Sequence, residues 1–122
     1  AADFHVMCVT GKGYSLLWYA GESDYHRVDW QHGTVFAPPD QMFHQHFNVS
    51  PVPARYMATA FGSLRYPFTE SKRKSLFGGV STSLKQGGDQ IEFEDQSPRI
   101  HALYTEETAK TGVTVQMPMV KG

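Results

Sequence analysis

Two histidines separated by one residue are the feature of this chain best suited to chemistry. His44 and His46 lie in the stretch HGTVFAPPDQMFHQHFN, which covers residues 32–48. Alternate side chains of a β-strand point to the same face, so both imidazoles would lie together with Met42 and Asn48. Imidazole suits zinc, iron, copper, nickel and, with carboxylates, manganese. The spacing therefore predicts a pair of metal ligands that needs a further ligand from a neighbouring strand.

A second pair of the same spacing stands near the start of the chain. Asp3 and His5 would share a strand face with Met7 and Val9. A carboxylate and three imidazoles from two strands could form a mixed nitrogen and oxygen site. The metal ligands predicted from spacing are therefore His44, His46, His5 and Asp3, although spacing alone does not show that the two pairs meet.

An alternative without metal fits the histidine strand as well. A face that carries His44, His46 and Asn48 could be the solvent side of a half-buried sheet, with Phe43 and Phe47 on the packed side. Ser15 has no apparent base beside it in the sequence pattern, so acyl-transfer chemistry is not expected.

Composition narrows the class of protein. The chain has 122 residues and a formal net charge of -1, so it is at most one domain and lacks the field that attracts nucleic acid or an acidic membrane surface. Its single cysteine, Cys8, excludes an internal disulfide framework and fits a reducing compartment. No apolar run approaches the roughly 18 residues of a membrane span. We therefore expect a soluble, cytoplasmic protein without nucleic-acid or membrane partners.

The first half of the chain has the period-two apolar pattern of short strands. Strands are predicted at about 3–10, 14–19, 26–30, 34–37, 42–48 and 54–61. Turn residues such as those at 11–13, 21–24 and 38–40 separate them. Closely spaced strands with short connections are typical of an antiparallel sandwich or barrel.

The second half is organised differently. Residues 62–90 show little periodicity and are predicted to form a long surface arm or loop. In the C-terminal segment, residues 91–122, Ser97 can cap a helix that has Pro98 in its first turn, and Gly112 supplies a stop. One helix is therefore predicted at about 98–111.

The histidine strand also resembles the second conserved motif of the cupin superfamily. That motif has a glycine, five residues, a proline, one residue, a glycine, two residues, a histidine, three residues and an asparagine. The chain matches four of these five positions at the right spacings, with Gly33, Pro39, His44 and Asn48. Gln41 stands where the second glycine is expected. In this resemblance Gly33 allows the turn, Pro39 shapes the approach to the strand and Asn48 fixes its exit.

The start of the chain resembles the tail of the first cupin motif, in which a metal-binding glutamate leads a strand that ends at a glycine-rich turn. Gly11 and Gly13 match the turn, and Asp3 stands near the glutamate position. The two histidines that precede this glutamate in cupins have no counterpart. We therefore expect residues 1–61 to be part of a cupin barrel that a missing N-terminal segment or a partner chain completes.

The resemblance implies an all-β fold, a cupin-type jelly-roll β-barrel, here followed by the arm and one C-terminal helix. It also implies a divalent transition metal (Fe, Mn, Ni or Zn), held by His44 and by Asp3. His46 and His5 join them because they face the same way. The expected function is a metal-dependent enzyme, dioxygenase-like or isomerase-like, that acts on a small organic molecule and forms a homodimer. The alternative is a non-catalytic cupin-like module for ligand binding or oligomerisation, with a degraded metal site.

Three aromatic residues are candidates for contact with the substrate. Tyr14 and Trp18 share one strand face, and Tyr56 lies among alanines on another strand. Aromatic side chains beside small ones can line a pocket. The same pattern is also typical of core packing, and the sequence does not separate the two.

Overall fold

The computed structural model describes residues 3–39, 41–62, 83–88 and 90–118, without the side chains of residues 3, 4 and 60–62. The chain divides into two compact units, residues 1–68 and 69–122. Most of the arm predicted for residues 62–90 falls on 63–82, which lie outside the described residues.

All six predicted strands are present, and their ends differ from the predictions by no more than one residue. They are β1 (Asp3–Thr10), β2 (Gly13–Trp18), β3 (His26–Trp30), β4 (Val35–Phe36), β5 (Phe43–Asn48) and β6 (Arg55–Gly62). Period-two alternation and glycine- or proline-containing turns are thus enough to locate these strands in the sequence.

The strands form two antiparallel sheets of three strands each. Sheet A has the order β4-β1-β6, and sheet B has the order β3-β2-β5. The sheets face each other, because the His46 ring of sheet B contacts the rings of Phe36 and Tyr56 in sheet A at centroid distances of 5.9 and 5.3 Å. Within the described residues no strand of one sheet pairs with a strand of the other, so the closed jelly-roll barrel is not observed. The architecture is that of an open β-sandwich.

The two central strands are buried to different extents. In β1 of sheet A, Val6 and Cys8 point inward and are buried, as alternation requires. In β2 of sheet B both faces are buried: Ser15 faces sheet A, while Tyr14 and Leu16, each 1% exposed, lie on the opposite face. The central strand of sheet B is therefore buried on both faces, whereas the central strand of sheet A buries mainly its inner face.

Gly13 permits a close approach between the strands of sheet B. A Cβ atom at this position would lie 2.6 Å from Cζ2 of Trp30 and would also meet the backbone oxygen of Phe47. Any larger residue would displace the indole ring. The absent side chain thus allows Trp30 to lie flat against β2, which positions the indole nitrogen described below.

The second unit contains the predicted helix, α1, at Pro98–Ala109. Ser97 precedes it as predicted, but its side chain makes no capping hydrogen bond, and Pro98 occupies the first turn, where a missing N–H costs nothing. Gly112 follows with a φ of 72°, a conformation that favours glycine. No helix in the described parts of the chain is long and apolar enough to cross a membrane.

Candidate functional site

His44 and His46 project from β5 toward sheet A, on the inner face of the sandwich. The register places His46 opposite Ser15 and His44 opposite Leu17 on β2. The two imidazole centroids are 5.2 Å apart, with an angle of 47° between the ring planes. The predicted pairing of the two rings on one face is therefore present, and that face is the enclosed one.

A hydrogen-bonded row crosses sheet B and ends at His46. The Nδ1 atom of His46 lies 2.6 Å from the hydroxyl oxygen of Ser15. Trp30 donates its indole N–H to the same oxygen over 3.0 Å. Since Ser15 is 0% exposed, its hydroxyl is held by these neighbours alone among the described residues.

A small cavity separates the two sheets beside His46. Its lining comes from both sheets and consists of Val6, Cys8, Trp30, Phe36, His46 and Tyr56. The centre of a water molecule can occupy about 10 Å³ of this space, which is room for about one water. An organic ligand does not fit in the cavity as it stands.

Burial keeps both imidazoles neutral. Desolvation, followed by the neighbouring charge of His44, lowers the pKa of His46 to about 4. Desolvation also lowers the pKa of His44, and a hydrogen bond to the Met42 backbone opposes this shift. Neutral imidazole is the form that binds metal ions, so the pair needs no deprotonation at neutral pH.

The structure does not bring His5 together with the histidine pair. His5 lies opposite Thr59 on β6 and is exposed. Its neighbour Val6 lines the cavity, so His5 points to the outer face of sheet A. Asp3 begins β1, but its side chain lies outside the described residues. Among the side chains that the structure describes, no three His, Cys, Asp or Glu residues converge as a metal site would require.

The three aromatic candidates for substrate contact are divided between two places. Tyr14 and Trp18 lie on the face of sheet B that points away from His46. Tyr14 is buried, stacks on Phe47 at 5.0 Å, and has the Arg27 guanidinium 4.5 Å from its ring centroid. These contacts fit core packing. Tyr56 alone of the three lies beside His46.

The turn before β5 contains an unusual backbone conformation at Gln41, the residue that stands where the cupin motif has its second glycine. Gln41 has a φ of 70° and is the sole non-glycine residue with positive φ in the described part of the chain. Pro39 accepts a hydrogen bond from the backbone N–H of Met42 over 3.2 Å, which closes this turn. The position therefore has the left-handed geometry that glycine adopts most easily.

The other two motif residues also shape turns. Gly33 has a φ of 83° in the connection between β3 and β4. Asn48 organises the exit from β5: its side-chain oxygen accepts from the backbone N–H of Ser50 at 3.1 Å, and its amide donates to the carbonyl of Val52 at 2.7 Å. Such contacts are typical of asparagine in turns.

Sequence reasoning missed the partners of His46. Ser15 contacts it from β2 and Trp30 contacts Ser15 from β3, and only the register of β2 against β3 and β5 places these residues together. A serine beside an imidazole can form a nucleophile and its base. Ser15 is fully buried, however, so its oxygen is not accessible to a substrate in this structure.

Comparison of the chain with family models, with curated proteins and with solved structures found no match. The cupin resemblance consequently depends on the residues of the motif and on the backbone conformations that they adopt.

Proposed function

We propose that this chain is a cupin-like β-sandwich domain that binds a divalent transition metal ion through His44 and His46. The observation that carries the proposal is the distance of 5.2 Å between their ring centroids. Two imidazoles that share one tetrahedral ion, at metal–nitrogen distances of about 2.1 Å, place their centroids about 5 Å apart. The pair thus has the separation that two ligands of one ion require.

The surroundings of the pair support the same proposal. Metal-binding histidines usually hold their second ring nitrogen in a hydrogen bond, which fixes the orientation of the ring. The hydroxyl oxygen of Ser15 lies 2.6 Å from Nδ1 of His46, where it could accept from that nitrogen once Nε2 binds an ion, and Nε2 has no partner among the described residues. The lowered pKa of His46 keeps the ring in the neutral state that coordination needs.

The conformation of Gln41 supports the cupin relation. A positive φ is uncommon for a residue with a side chain, yet it occurs here at the one motif position that departs from the cupin pattern. A left-handed residue at this position is what a glycine in the motif would allow, and this agreement supports the proposal. In that motif His44 occupies the position of the metal-binding histidine.

The chemistry proposed for the domain follows from its incomplete ligand set. Two protein ligands leave open positions on an ion, where it could activate water, for which the cavity beside His46 has room, or polarise an oxygen atom of a small organic molecule that enters once the cavity widens. His44 and His46 would hold the ion, and the apolar side chains around the cavity would limit access of bulk water.

A second candidate is the non-catalytic module for ligand binding. It is favoured because, among the described side chains, no three His, Cys, Asp or Glu residues converge as a metal site would require. The two candidates differ in metal binding. The non-catalytic module would keep the β-sandwich but would bind no metal ion.

Metal titration of the purified chain tests the proposal. Zn²⁺, Ni²⁺, Mn²⁺ and Fe²⁺ are each titrated calorimetrically into the unmutated protein, into His44→Ala and into His46→Ala, with His5→Ala as the matched control. We expect one ion to bind per chain, at least about tenfold weaker binding by the first two variants, and no change for His5→Ala. Failure of the unmutated protein to bind any of the four ions would favour the non-catalytic module.

A further inference from the structure

The row of three side chains across sheet B determines where hydrogen atoms lie at the site. Trp30 of β3, Ser15 of β2 and His46 of β5 each contribute one group, joined by contacts of 3.0 and 2.6 Å. Trp30 and Ser15 are both buried. Bulk water therefore does not compete for the serine hydroxyl, and its partners must come from the protein.

The direction of each hydrogen bond follows from the chemistry of the groups. An indole N–H can donate but cannot accept, so the oxygen of Ser15 is the acceptor from Trp30. The serine still has its own hydrogen to donate. Within the described residues the acceptor in reach of that hydrogen is Nδ1 of His46, and a buried hydroxyl that left its hydrogen unpaired would lose free energy.

We propose that Ser15 is a positioning residue that sets the tautomer of His46. Because Nδ1 accepts from Ser15, the neutral ring carries its hydrogen on Nε2 in the metal-free protein. The domain without metal thus presents an N–H donor at the ring nitrogen that Ser15 does not engage.

The tautomer has a consequence for metal binding, and this second step rests on the proposed function. An ion can bind Nε2 only after the hydrogen there has left, so one proton passes from Nε2 to solvent and one from solvent to Nδ1. The ring stays neutral, and Ser15 changes from donor to acceptor. Its oxygen has two lone pairs and can accept from Trp30 and His46 together, while its own hydrogen loses its acceptor among the described residues, a cost that the metal–nitrogen bond must exceed.

Nitrogen-15 chemical shifts of the His46 ring, measured on the full metal-free chain near neutral pH, test the first step. Loss of resonances in His46→Gln assigns them. We expect a protonated Nε2 and an unprotonated Nδ1. In Ser15→Ala the two shifts should move toward each other, because the second tautomer becomes populated. Ser15→Thr keeps the hydroxyl and should keep the unmutated pattern, and so should the matched variant Ser50→Ala.

A protonated Nδ1 in the unmutated, metal-free protein would overturn the inference, and so would identical shifts in Ser15→Ala. Zn²⁺ is then added to test the second step. We expect Nδ1 to become protonated and Nε2 to lose its hydrogen. If Zn²⁺ binds while Nε2 keeps its hydrogen, the second step is wrong. If Zn²⁺ does not bind at all, the proposed function is wrong. The tautomer of the metal-free protein is then still tested by the first measurement.

Discussion

Two pairs of potential ligands have the same spacing in this chain, but their histidines have opposite environments. His44 and His46 in sheet B lie on the inner face of the sandwich, whereas His5 in sheet A is on the outer face and exposed. Alternation correctly places residues i and i+2 together, but it does not say which face is enclosed. The face is decided by what the other residues of the strand pack against.

The residues that face inward are of different types in the two sheets. In β1 the apolar residues Val6 and Cys8 lie inside, so His5 lies on the outer face and not with the histidine pair as the spacing predicts. In β5 the aromatic Phe47 is buried on the side away from sheet A, and the histidines occupy the inner side. Because the central strand of sheet B is buried on both faces, hydrophobicity alone does not identify the inner face of this sheet.

The largest expected effect comes from removing a core side chain of β2, the strand that is buried on both faces. Leu16 is 1% exposed, and we expect Leu16→Ala to lower the free energy of unfolding by about 4 kcal/mol. Met57, on the outer face of sheet A, is 58% exposed, and Met57→Ala should lower it by less than about 0.5 kcal/mol. Urea unfolding of both variants measures the difference. Similar losses would show that the outer faces of the two sheets are buried alike.

The next effect is the dependence of stability on pH. The pKa of His46 is about 4 in the folded chain, against 6.5 when the residue is unperturbed. The unfolded chain therefore binds more protons between these values, so stability is fully present above pH 6.5 and falls as the pH drops toward 4. We expect a loss of about 2 to 3 kcal/mol over this window, with His44 acting in the same direction.

Substitutions of His46 and His5 show which of the two histidines causes the pH dependence of stability. Free energies of unfolding are measured by urea at a series of pH values for the unmutated chain, for His46→Gln and for His5→Gln. His46→Gln should flatten the profile below pH 6.5, and His5→Gln should leave it unchanged. A profile that His5→Gln flattens as much as His46→Gln would contradict the assignment of inner and outer faces.

Much of the fold follows from local sequence, and much of the site does not. The strands and α1 begin and end at turn and capping residues such as Gly112, whose effects are local. The shared face of His44 and His46 follows from alternation. The contact between Trp30, Ser15 and His46 depends on the register of three strands, and no local pattern encodes it. Local sequence also does not show which face of β1 is enclosed, and for this reason the spacing alone predicts that His5 joins the pair.

The smallest expected effect concerns the turn that leads into β5 and sets its register. Gln41 has a φ of 70°, so Gln41→Gly should relieve backbone strain and raise the free energy of unfolding by about 0.5 kcal/mol. The same change at Gln45, inside β5, should lower it by about 1 kcal/mol, because glycine weakens a strand. Thermal unfolding compares the two variants. Equal losses would show that position 41 does not favour the left-handed conformation.

Anomalous diffraction from crystals of the chain grown with Zn²⁺, recorded at the zinc absorption edge, tests the central claim most directly. The account predicts one anomalous peak between the sheets, about 2.1 Å from a ring nitrogen of His44 and from one of His46, and no peak at His5. A zinc peak bound elsewhere on the chain, with none beside His44 and His46, would contradict it.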